Sequence, residues 1–363
     1  MSASIAAGRS AFALIKKLGL NIVGERFEAI NSIGSSFGGS SFVGRDLQEG
    51  VTVFMKYLIC PRGEAERAKF LLERDALEHL NWNPYKVAPK FLHFETVPEL
   101  VTDVLVTEFA KGEGLASWID RSQPLGIEEK LEVFHRVVFA LSHATLNYQH
   151  RDAHPGNIIL LPEDQVVMKP WGAGMWNPAV KIVDWGEALP VIFANYDDEP
   201  DHNFILLEAA PRTIGGSITS LPPEVFSPWR QNTSFGGVYE SWGIGLLLNR
   251  ILTGSAPPRA DSLGQFAKDV RDGALERWVR DQVSNVRSYD LPGGLILSRL
   301  LRSLLSVQPE RRATLSDAGL VLFHLRYENL TISTSDEVER YFSDVCEYKP
   351  PGGWRFINDF ERD

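Results

Sequence analysis

Hydrophobic and polar residues alternate in short runs over the first third of the chain, a pattern typical of half-buried β-strands. Gly-rich or polar turns separate these runs. The predicted strands are Phe27–Ile30, Ser41–Val43, Val51–Met55 and Val104–Val106. One segment, Glu64–Leu80, instead places apolar residues at helical spacing. Residues 25–110 are therefore predicted to form a small antiparallel sheet with one helix.

The pattern changes to a helical period after Lys111–Gly114. The predicted helices are Ile127–Gln149, Val238–Leu252, Leu263–Val283 and Leu295–Leu305. Residues 111–326 are thus expected to form a larger, mainly helical lobe. Because strands come first and helices afterwards, the fold class is α+β with two lobes.

The two ends of the chain form short extensions in this scheme. Residues 1–24 are basic and place apolar residues on one helical face, which suits either a targeting or membrane-surface helix or a helix packed on the first lobe. Three positive charges are few for a targeting segment, so packing is the favoured interpretation. Residues 327–363 are expected to form a tail packed on the body.

Composition narrows the class of protein. The chain has 363 residues, 44% hydrophobic, with a net charge of −10, which is typical of a globular protein and argues against nucleic acid as the main partner. Cys60 and Cys346 stand far apart and outside any metal-spaced cluster, so a reducing, cytoplasmic compartment is expected. No apolar run reaches the roughly 18 residues of a membrane span.

The run from His150 to Asn157 is chemically the most informative part of the sequence. It places Asp152 five residues before Asn157, and Asp184 follows after a further apolar segment, Val180–Val183. One carboxylate can orient a hydroxyl nucleophile, while the other oxygen groups suit Mg²⁺ bound to a nucleoside triphosphate.

A Gly/Ser-rich segment between two predicted strands is a candidate phosphate loop, because phosphates need closely approaching backbone N–H groups. Its candidate residues are Gly34, Ser36, Gly38 and Gly39. Lys56 follows on the next strand among apolar neighbours. It is either a lysine whose head reaches solvent at the sheet edge or a lysine that grips phosphates.

Taken in order, these motifs resemble the Gly-rich loop, strand lysine, H-R-D-x-x-x-x-N loop and D-F-G loop of protein kinases. The resemblance implies that Lys56 holds the α- and β-phosphates and that Asp152 accepts the proton of the acceptor hydroxyl. It implies ATP as substrate in the cleft, with Mg²⁺ held by Asn157 and Asp184.

The same resemblance assigns further residues of the nucleotide site. Glu73, at its distance from the end of the predicted helix, would pair with Lys56, with Asp75 and Glu78 as alternatives. The connecting segment would offer the Glu108 carbonyl and the Ala110 N–H to adenine. Thr107 would guard the inner pocket.

The later motifs resemble those of protein kinases in particular. Gly216–Glu224 resembles the segment ending in A-P-E, and Gln308–Arg312 resembles D-P-x-x-R, which implies a pair between Glu224 and Arg312. Arg151 would bind a phosphorylated or acidic loop. Candidate hydroxyl residues of the activation segment are Thr213, Ser217 and Thr219, of which Ser217 would touch the catalytic loop.

Several positions depart from the protein kinase pattern. The form His154-Pro155-Gly156-Asn157 resembles aminoglycoside and choline kinases, and protonated His154 could contact the transferred phosphoryl group. Glu240 stands where the central helix usually has Asp, which puts the anchor of the catalytic loop in doubt. Ser36, Ser41 and Phe54 alter the nucleotide pocket.

The sequence therefore predicts an ATP-dependent serine/threonine protein kinase. It is expected to phosphorylate an unidentified protein substrate and to phosphorylate itself. One alternative is a small-molecule kinase, suggested by His154. A second is a pseudokinase scaffold, suggested by Phe54, Ser36 and Glu240. Nothing in the sequence specifies an oligomeric state.

Overall fold

The computed structural model describes residues 11–36, 39–145, 148–165, 177–192, 205–206, 216–218, 220–226, 238–258, 260–288, 293–328, 330 and 332–346. These residues divide into two compact units. The first comprises the described part of Met1–Gly112 together with Val183–Ala188. The second comprises the described parts of Glu113–Ile182 and Leu189–Asp363.

The first unit is built on a six-stranded antiparallel sheet. The strands are β1 (Ile22–Val23), β2 (Phe27–Ser36), β3 (Gly39–Asp46), β4 (Thr52–Ile59), β5 (Phe91–Val97) and β6 (Thr102–Glu108), in the spatial order β1-β2-β3-β4-β6-β5. Helix α1 covers residues 11–17 and helix α2 covers Glu64–Leu80. The sequence predicted four of these strands and α2, and missed β1 and β5.

The described part of the N-terminal segment, residues 11–24, contributes to the core of this unit. Ile15 is fully buried, the Phe12 and Phe42 ring centroids are 5.8 Å apart, and the Tyr57 hydroxyl donates to the Leu20 carbonyl at 2.8 Å. Since Tyr57 neighbours Lys56 on β4, the segment supports the strand that carries the candidate phosphate-binding lysine.

The second unit is mainly helical. Its helices are α3 (Leu115–Arg121), α4 (Ile127–Ala144), α5 (Tyr239–Thr253), α6 (Leu263–Arg271), α7 (Ala274–Ser288), α8 (Gly294–Leu304), α9 (Leu315–Tyr327) and α10 (Ser335–Cys346). It also contains two small antiparallel sheets. The first has the strand order β10-β9-β7 and consists of β7 (Glu113–Gly114), β9 (Ile158–Leu160) and β10 (Val180–Ile182). The second has the strand order β12-β11-β8 and consists of β8 (Tyr148–Gln149), β11 (Leu189–Ile192) and β12 (Ile205–Leu206).

Two predicted helices differ from the structure. The predicted helix Leu263–Val283 is divided into α6 and α7, because Gly273 adopts a left-handed conformation with φ of 67° that ends the first helix. The predicted helix Ile127–Gln149 ends at Ala144, and its last two residues form β8, paired with Leu189 and Pro190.

The C-terminal region contains a helix that the sequence pattern did not single out. In α10, Val338, Phe342 and Cys346 are buried, and Glu339 forms an ion pair with Arg299 of α8 at 2.8 Å. Residues 347–363 lie outside the described part of the chain. Within that part, every helix is too short or too polar to cross a membrane.

Candidate active site

Lys56, Glu73 and Asp184 form one charged cluster in the first unit. Lys56 Nζ lies 2.7 Å from Glu73 Oε2 and 2.9 Å from Asp184 Oδ1. The sequence named Glu73 as the partner of Lys56 over Asp75 and Glu78, and the structure places it there. The contact with Asp184 brings residues 128 positions apart in the chain into direct contact.

The local sequence explains how these groups are held. Strand β4 lies inside the sheet and alternates towards its core, so Met55 and Tyr57 are fully buried and Lys56 points to the other face. Helix α2 carries Glu73 on its buried face with Phe70 and Leu77. Because both charged groups are more than nine-tenths buried, each requires the other.

The electrostatics keep Lys56 protonated. Burial alone lowers the pKa of Lys56, but the negative charges of Glu73 and Asp184 outweigh it, and the net pKa is raised. Burial raises the pKa of Glu73, an effect that the bond to Lys56 opposes. The ammonium group is therefore a permanent positive charge beside the Asp184 carboxylate, whose side chain is 53% exposed.

The loop that carries Asp184 also contacts helix α2 through an ion pair. Lys69 Nζ lies 2.5 Å from Glu187 Oε1, and Lys69 stands one helical turn before Glu73. Asp184 itself adopts a left-handed backbone conformation with φ of 62°, which is strained for a residue with a Cβ atom. The Lys56–Asp184 pair therefore ties this strained loop to β4, and the Lys69–Glu187 pair ties it to α2.

The glycine-rich segment forms the hairpin between β2 and β3. Its backbone pairs Gly34 with Ser41 and Ser36 with Gly39, and Ser41 in turn pairs with Lys56 of β4. Gly38 lies outside the described residues. The second strand of this hairpin, β3, therefore lies next to β4, which carries Lys56.

The predicted adenine-contacting segment leaves the sheet at the end of β6. Thr107 is buried and pairs across the strands with Phe54, and Glu108 pairs with Val53. The Glu108 N–H donates to the Lys90 carbonyl at 2.8 Å. Ala110 is half-buried and follows β6 in irregular backbone, where its N–H is not committed to the sheet ladder.

In the second unit, Asp152 is surrounded by hydrogen-bond donors. Asn157 Nδ2 donates to Asp152 Oδ2 at 3.2 Å and to the Asp152 carbonyl at 3.1 Å. The Gly156 N–H donates to His154 Nδ1, so in the neutral ring Nε2 carries the proton, and Nε2 lies 3.5 Å from Asp152 Oδ2. Asp152 is therefore oriented by Asn157 and His154, for which the sequence instead predicted contacts with a metal ion and with the transferred phosphoryl group.

These donors keep Asp152 ionised. Burial raises its pKa, but the His154 contact and the Ser217 N–H outweigh burial, so the pKa of Asp152 lies below the usual range for an aspartate. A carboxylate at neutral pH can accept a hydrogen bond from a hydroxyl and orient its oxygen.

The segment 216–220 contributes contacts that sequence reasoning only partly found. The Ser217 N–H donates to Asp152 Oδ1 at 2.7 Å, and Ser220 Oγ lies 3.4 Å from the same oxygen. Ser217 was expected to touch the catalytic loop, and it does so through its backbone. Gly216 was missed: its φ is 94°, and a Cβ there would lie 2.7 Å from the Arg151 carbonyl.

Glu240 anchors the catalytic loop. Its Oε1 accepts the Arg151 N–H at 2.9 Å, although Arg151 has a φ of 64°. The longer side chain in place of aspartate therefore still reaches the loop. Burial raises the pKa of Glu240, and within the described structure its Oε2 is buried without a hydrogen-bond partner. The Arg151 guanidinium lies 5.7 Å from the Tyr239 ring centroid.

Glu224 and Arg312 form a fully buried bidentate pair. The two N–O distances are 2.7 and 2.8 Å, and Arg312 also donates to the Ser306 and Val238 carbonyls. The sequence implied this pair between residues 88 positions apart, and the structure contains it. Thr213 and Thr219 lie outside the described residues.

Two of these residues have oxygen atoms that could bind a metal ion. Among the described residues, no group of three His, Cys, Asp or Glu side chains is placed to hold one. Asn157 donates through its amide nitrogen to Asp152, so its side-chain oxygen is the atom that could bind a metal ion, and Asp184 presents a half-exposed carboxylate. Oxygen donors in small number suit Mg²⁺, which takes its other ligands from phosphates and water.

Comparison with known proteins identifies the family. A family model described as "Protein kinase domain" matches residues 27–321. The chain is 24% identical over 216 residues to the serine/threonine-protein kinase RAD53 of Saccharomyces cerevisiae, covering 59% of this chain and 23% of that protein. It is 26% identical over 209 residues to the serine/threonine-protein kinase ATG1 of Debaryomyces hansenii, covering 56% and 21% respectively.

The aligned part is thus less than a quarter of the length of these two relatives. The family model, by contrast, covers well over half of this chain and includes both the Lys56 cluster and the Asp152 cluster. The chain belongs to the protein kinase family.

Proposed function

We propose that this protein is a serine/threonine protein kinase that transfers the γ-phosphoryl group of Mg·ATP to a hydroxyl of a protein. The observation that carries the proposal is the Lys56–Glu73–Asp184 cluster, because its buried lysine is protonated and held by two carboxylates. A permanently charged, positioned ammonium group is suited to polyphosphate oxygens.

Each residue of the site would have a distinct role in the reaction. Lys56 would bind the α- and β-phosphates, and backbone N–H groups of the β2–β3 hairpin would cover them. Asp184 and Asn157 would hold Mg²⁺, which neutralises charge on the phosphates when bound. Asp152, held ionised by its donors, would orient the acceptor hydroxyl and take its proton.

Protein rather than metabolite acceptors are favoured by the Glu224–Arg312 pair and by the bond from Ser217 to Asp152. The bond from Ser217 holds the segment at the catalytic loop, where a peptide acceptor would be presented, while the Glu224–Arg312 pair holds the end of the segment at the turn before α9. His154 supports the small-molecule alternative, but here it faces Asp152. The intact charged cluster counts against a scaffold without catalysis.

The test is an assay with radiolabelled ATP and Mg²⁺, comparing the wild type with Asp152→Ala and Asp184→Asn, followed by mass spectrometry of the protein. We expect autophosphorylation on hydroxyls such as Thr213, Ser217 or Thr219, and its loss by orders of magnitude in both variants. A thermal shift with Mg·ATP but no labelling of protein would instead support a small-molecule acceptor, which a screen of metabolite alcohols would detect. Neither labelling nor a thermal shift would support the scaffold.

A further inference from the structure

Helix α2, which carries Glu73, is held unevenly along its length. Its buried residues all belong to the part of the helix that begins at residue 70: Phe70, Glu73, Ala76, Leu77 and Leu80. Just beyond the C-terminal end of the helix, Asn81 exchanges hydrogen bonds of 2.8 and 3.2 Å with the backbone of Phe91. None of residues 64–69 is buried, so the position of this first part of the helix depends on polar contacts.

Arg67 makes such a polar contact with the sheet. Its Nε donates to Asp103 Oδ2 at 2.8 Å, and its Nη2 donates to Asp103 Oδ1 at 3.2 Å. The Arg67 side chain is half-exposed, whereas Asp103 on β6 is buried and also accepts a bond from Thr96 Oγ1 at 2.7 Å. Two parallel N–H···O bonds fix the direction of the guanidinium group as well as its distance. Since a buried carboxylate requires a partner for its charge, Asp103 holds Arg67 and with it the first turns of α2.

Asp103 lies on the face of the sheet that carries Lys56. In the strand pairing, Asp103 is opposite Leu58, which lies two residues along β4 from Lys56. Residues two positions apart on a strand point to the same face and are about 7 Å from each other. Asp103 and Lys56 therefore both face α2, where they bind Arg67 and Glu73 respectively.

The first turns of α2 are held on two sides. An α-helix turns by about 100° per residue, so Arg67 and Lys69 project about 160° apart around its axis. Lys69 binds Glu187 on one side, and Arg67 binds Asp103 on the other. Loss of the Arg67 contact leaves the helix held on one side, so its first turns can roll and carry Glu73 away from Lys56.

We propose that Arg67 and Asp103 are positioning residues of the ATP site, because their pair holds the first turns of α2 where Glu73 meets Lys56. The proposal rests on the proposed function for the identity of the nucleotide, but the position of α2 can be measured without ATP. When the pair is broken, a smaller fraction of the molecules has Glu73 at Lys56. The apparent affinity for ATP then falls in proportion to that fraction.

The first test follows hydrogen exchange by mass spectrometry in the full chain without nucleotide. Arg67 is exposed and Asp103 keeps its bond from Thr96, so the variant Arg67→Gln should fold. We expect peptides from residues 64–76 to exchange at least about threefold faster in this variant than in the wild type, because exchange reports local opening of the helix. Arg67→Lys retains the charge but loses the paired bonds, so its exchange should be intermediate.

The pair of Arg26 and Asp46 provides a matched control in the same unit. Arg26 Nη2 lies 2.6 Å from Asp46 Oδ2, and again the arginine is partly exposed and the aspartate is buried. This pair joins the residue before β2 to the last residue of β3, so it does not involve α2. Arg26→Gln should leave the exchange of residues 64–76 and the affinity for Mg·ATP as in the wild type. Equal acceleration of this exchange by Arg26→Gln and Arg67→Gln would indicate general destabilisation and overturn the proposal.

The second test measures binding of Mg·ATP by calorimetry and the rate of autophosphorylation as a function of ATP concentration. We expect Arg67→Gln to raise both Kd and KM for ATP at least about threefold, while the maximal rate changes less than about twofold. If the two residues act as a pair, Asp103→Asn combined with Arg67→Gln should raise KM no more than the larger single effect.

The outcomes separate the positioning proposal from the proposed function. Faster exchange in α2 of Arg67→Gln with an unchanged affinity for Mg·ATP would make the pair merely structural and overturn the proposal. Exchange and affinity both equal to those of the wild type would overturn it as well. Faster exchange and weaker binding of Mg·ATP in Arg67→Gln, with no phosphoryl transfer by the wild type, would overturn the proposed function and leave the positioning role supported.

Discussion

The Glu224–Arg312 pair gives the sharpest prediction about stability. Glu224→Ala removes the carboxylate from a guanidinium that is 0% exposed. Arg312 keeps its bonds to the Ser306 and Val238 carbonyls at 2.9 and 3.0 Å, so its charge stays in the interior without a counter-ion. Removing one partner of such a pair costs about 3–5 kcal/mol. In a unit of this size that corresponds to a fall in Tm of about 6–20 °C.

An exposed ion pair in the same unit provides the control. Arg250 and Asp120 lie 3.0 Å apart, but the Asp120 side chain is 74% exposed. Solvent screens such a pair, so Asp120→Ala should cost less than about 1 kcal/mol. The two substitutions thus compare one interaction in two environments.

Urea unfolding, followed by circular dichroism and tryptophan fluorescence, measures both free energies. The Trp242 ring centroid lies 5.4 Å from the Arg312 guanidinium, so fluorescence reports on the altered site. The double variant Glu224→Leu with Arg312→Met removes both charges and should be more stable than Glu224→Ala. A cost for Glu224→Ala no larger than that for Asp120→Ala would refute the reasoning.

Three further predictions concern the catalytic clusters. Lys69→Glu should lower kcat about two- to tenfold by repelling Glu187, and the reciprocal double variant with Glu187→Lys should restore it in a steady-state assay. Gly216→Ala forces a Cβ onto the backbone at Arg151 and should lower kcat at least about tenfold, checked on protein whose circular dichroism is unchanged. Burial raises the pKa of Glu240 in the folded state. The free energy of unfolding that protonated Glu240 contributes is therefore full below its unfolded-state pKa of about 4.3, and it is lost as the pH rises through its folded-state pKa. Urea unfolding at pH 5 and pH 8 should therefore show a smaller decline for Glu240→Gln than for the wild type, and equal declines would contradict this assignment.

The sequence was sufficient to identify the candidate catalytic groups. Lys56, Asp152, Asn157 and Asp184 are polar residues placed at the ends or within apolar strands, where an uncompensated charge is costly and hence conspicuous. Glu73 was selected because its distance from the end of the predicted helix matches the protein kinase pattern. These inferences depend on motifs within short segments and on their order along the chain, which the sequence records directly.

Edge strands and helix ends were harder to predict from the sequence. Strand β5 was missed although Leu92, His93, Phe94 and Glu95 alternate between apolar and polar residues, because this alternation is short and the strand is only partly buried. The break between α6 and α7 occurs at Gly273, and glycine within a helical pattern is compatible with either continuation or termination. In such positions, packing with the rest of the unit decides between local structures of similar free energy.

The sequence by itself determined the order of the elements and the identity of the charged groups. Only the tertiary structure decided that Gly216 and Ser220 lie beside the Asp152 carboxylate and that Glu187 pairs with Lys69. The physical reason is that these contacts join residues far apart in sequence. Their geometry follows from how whole elements pack, and no periodicity within a single segment encodes it.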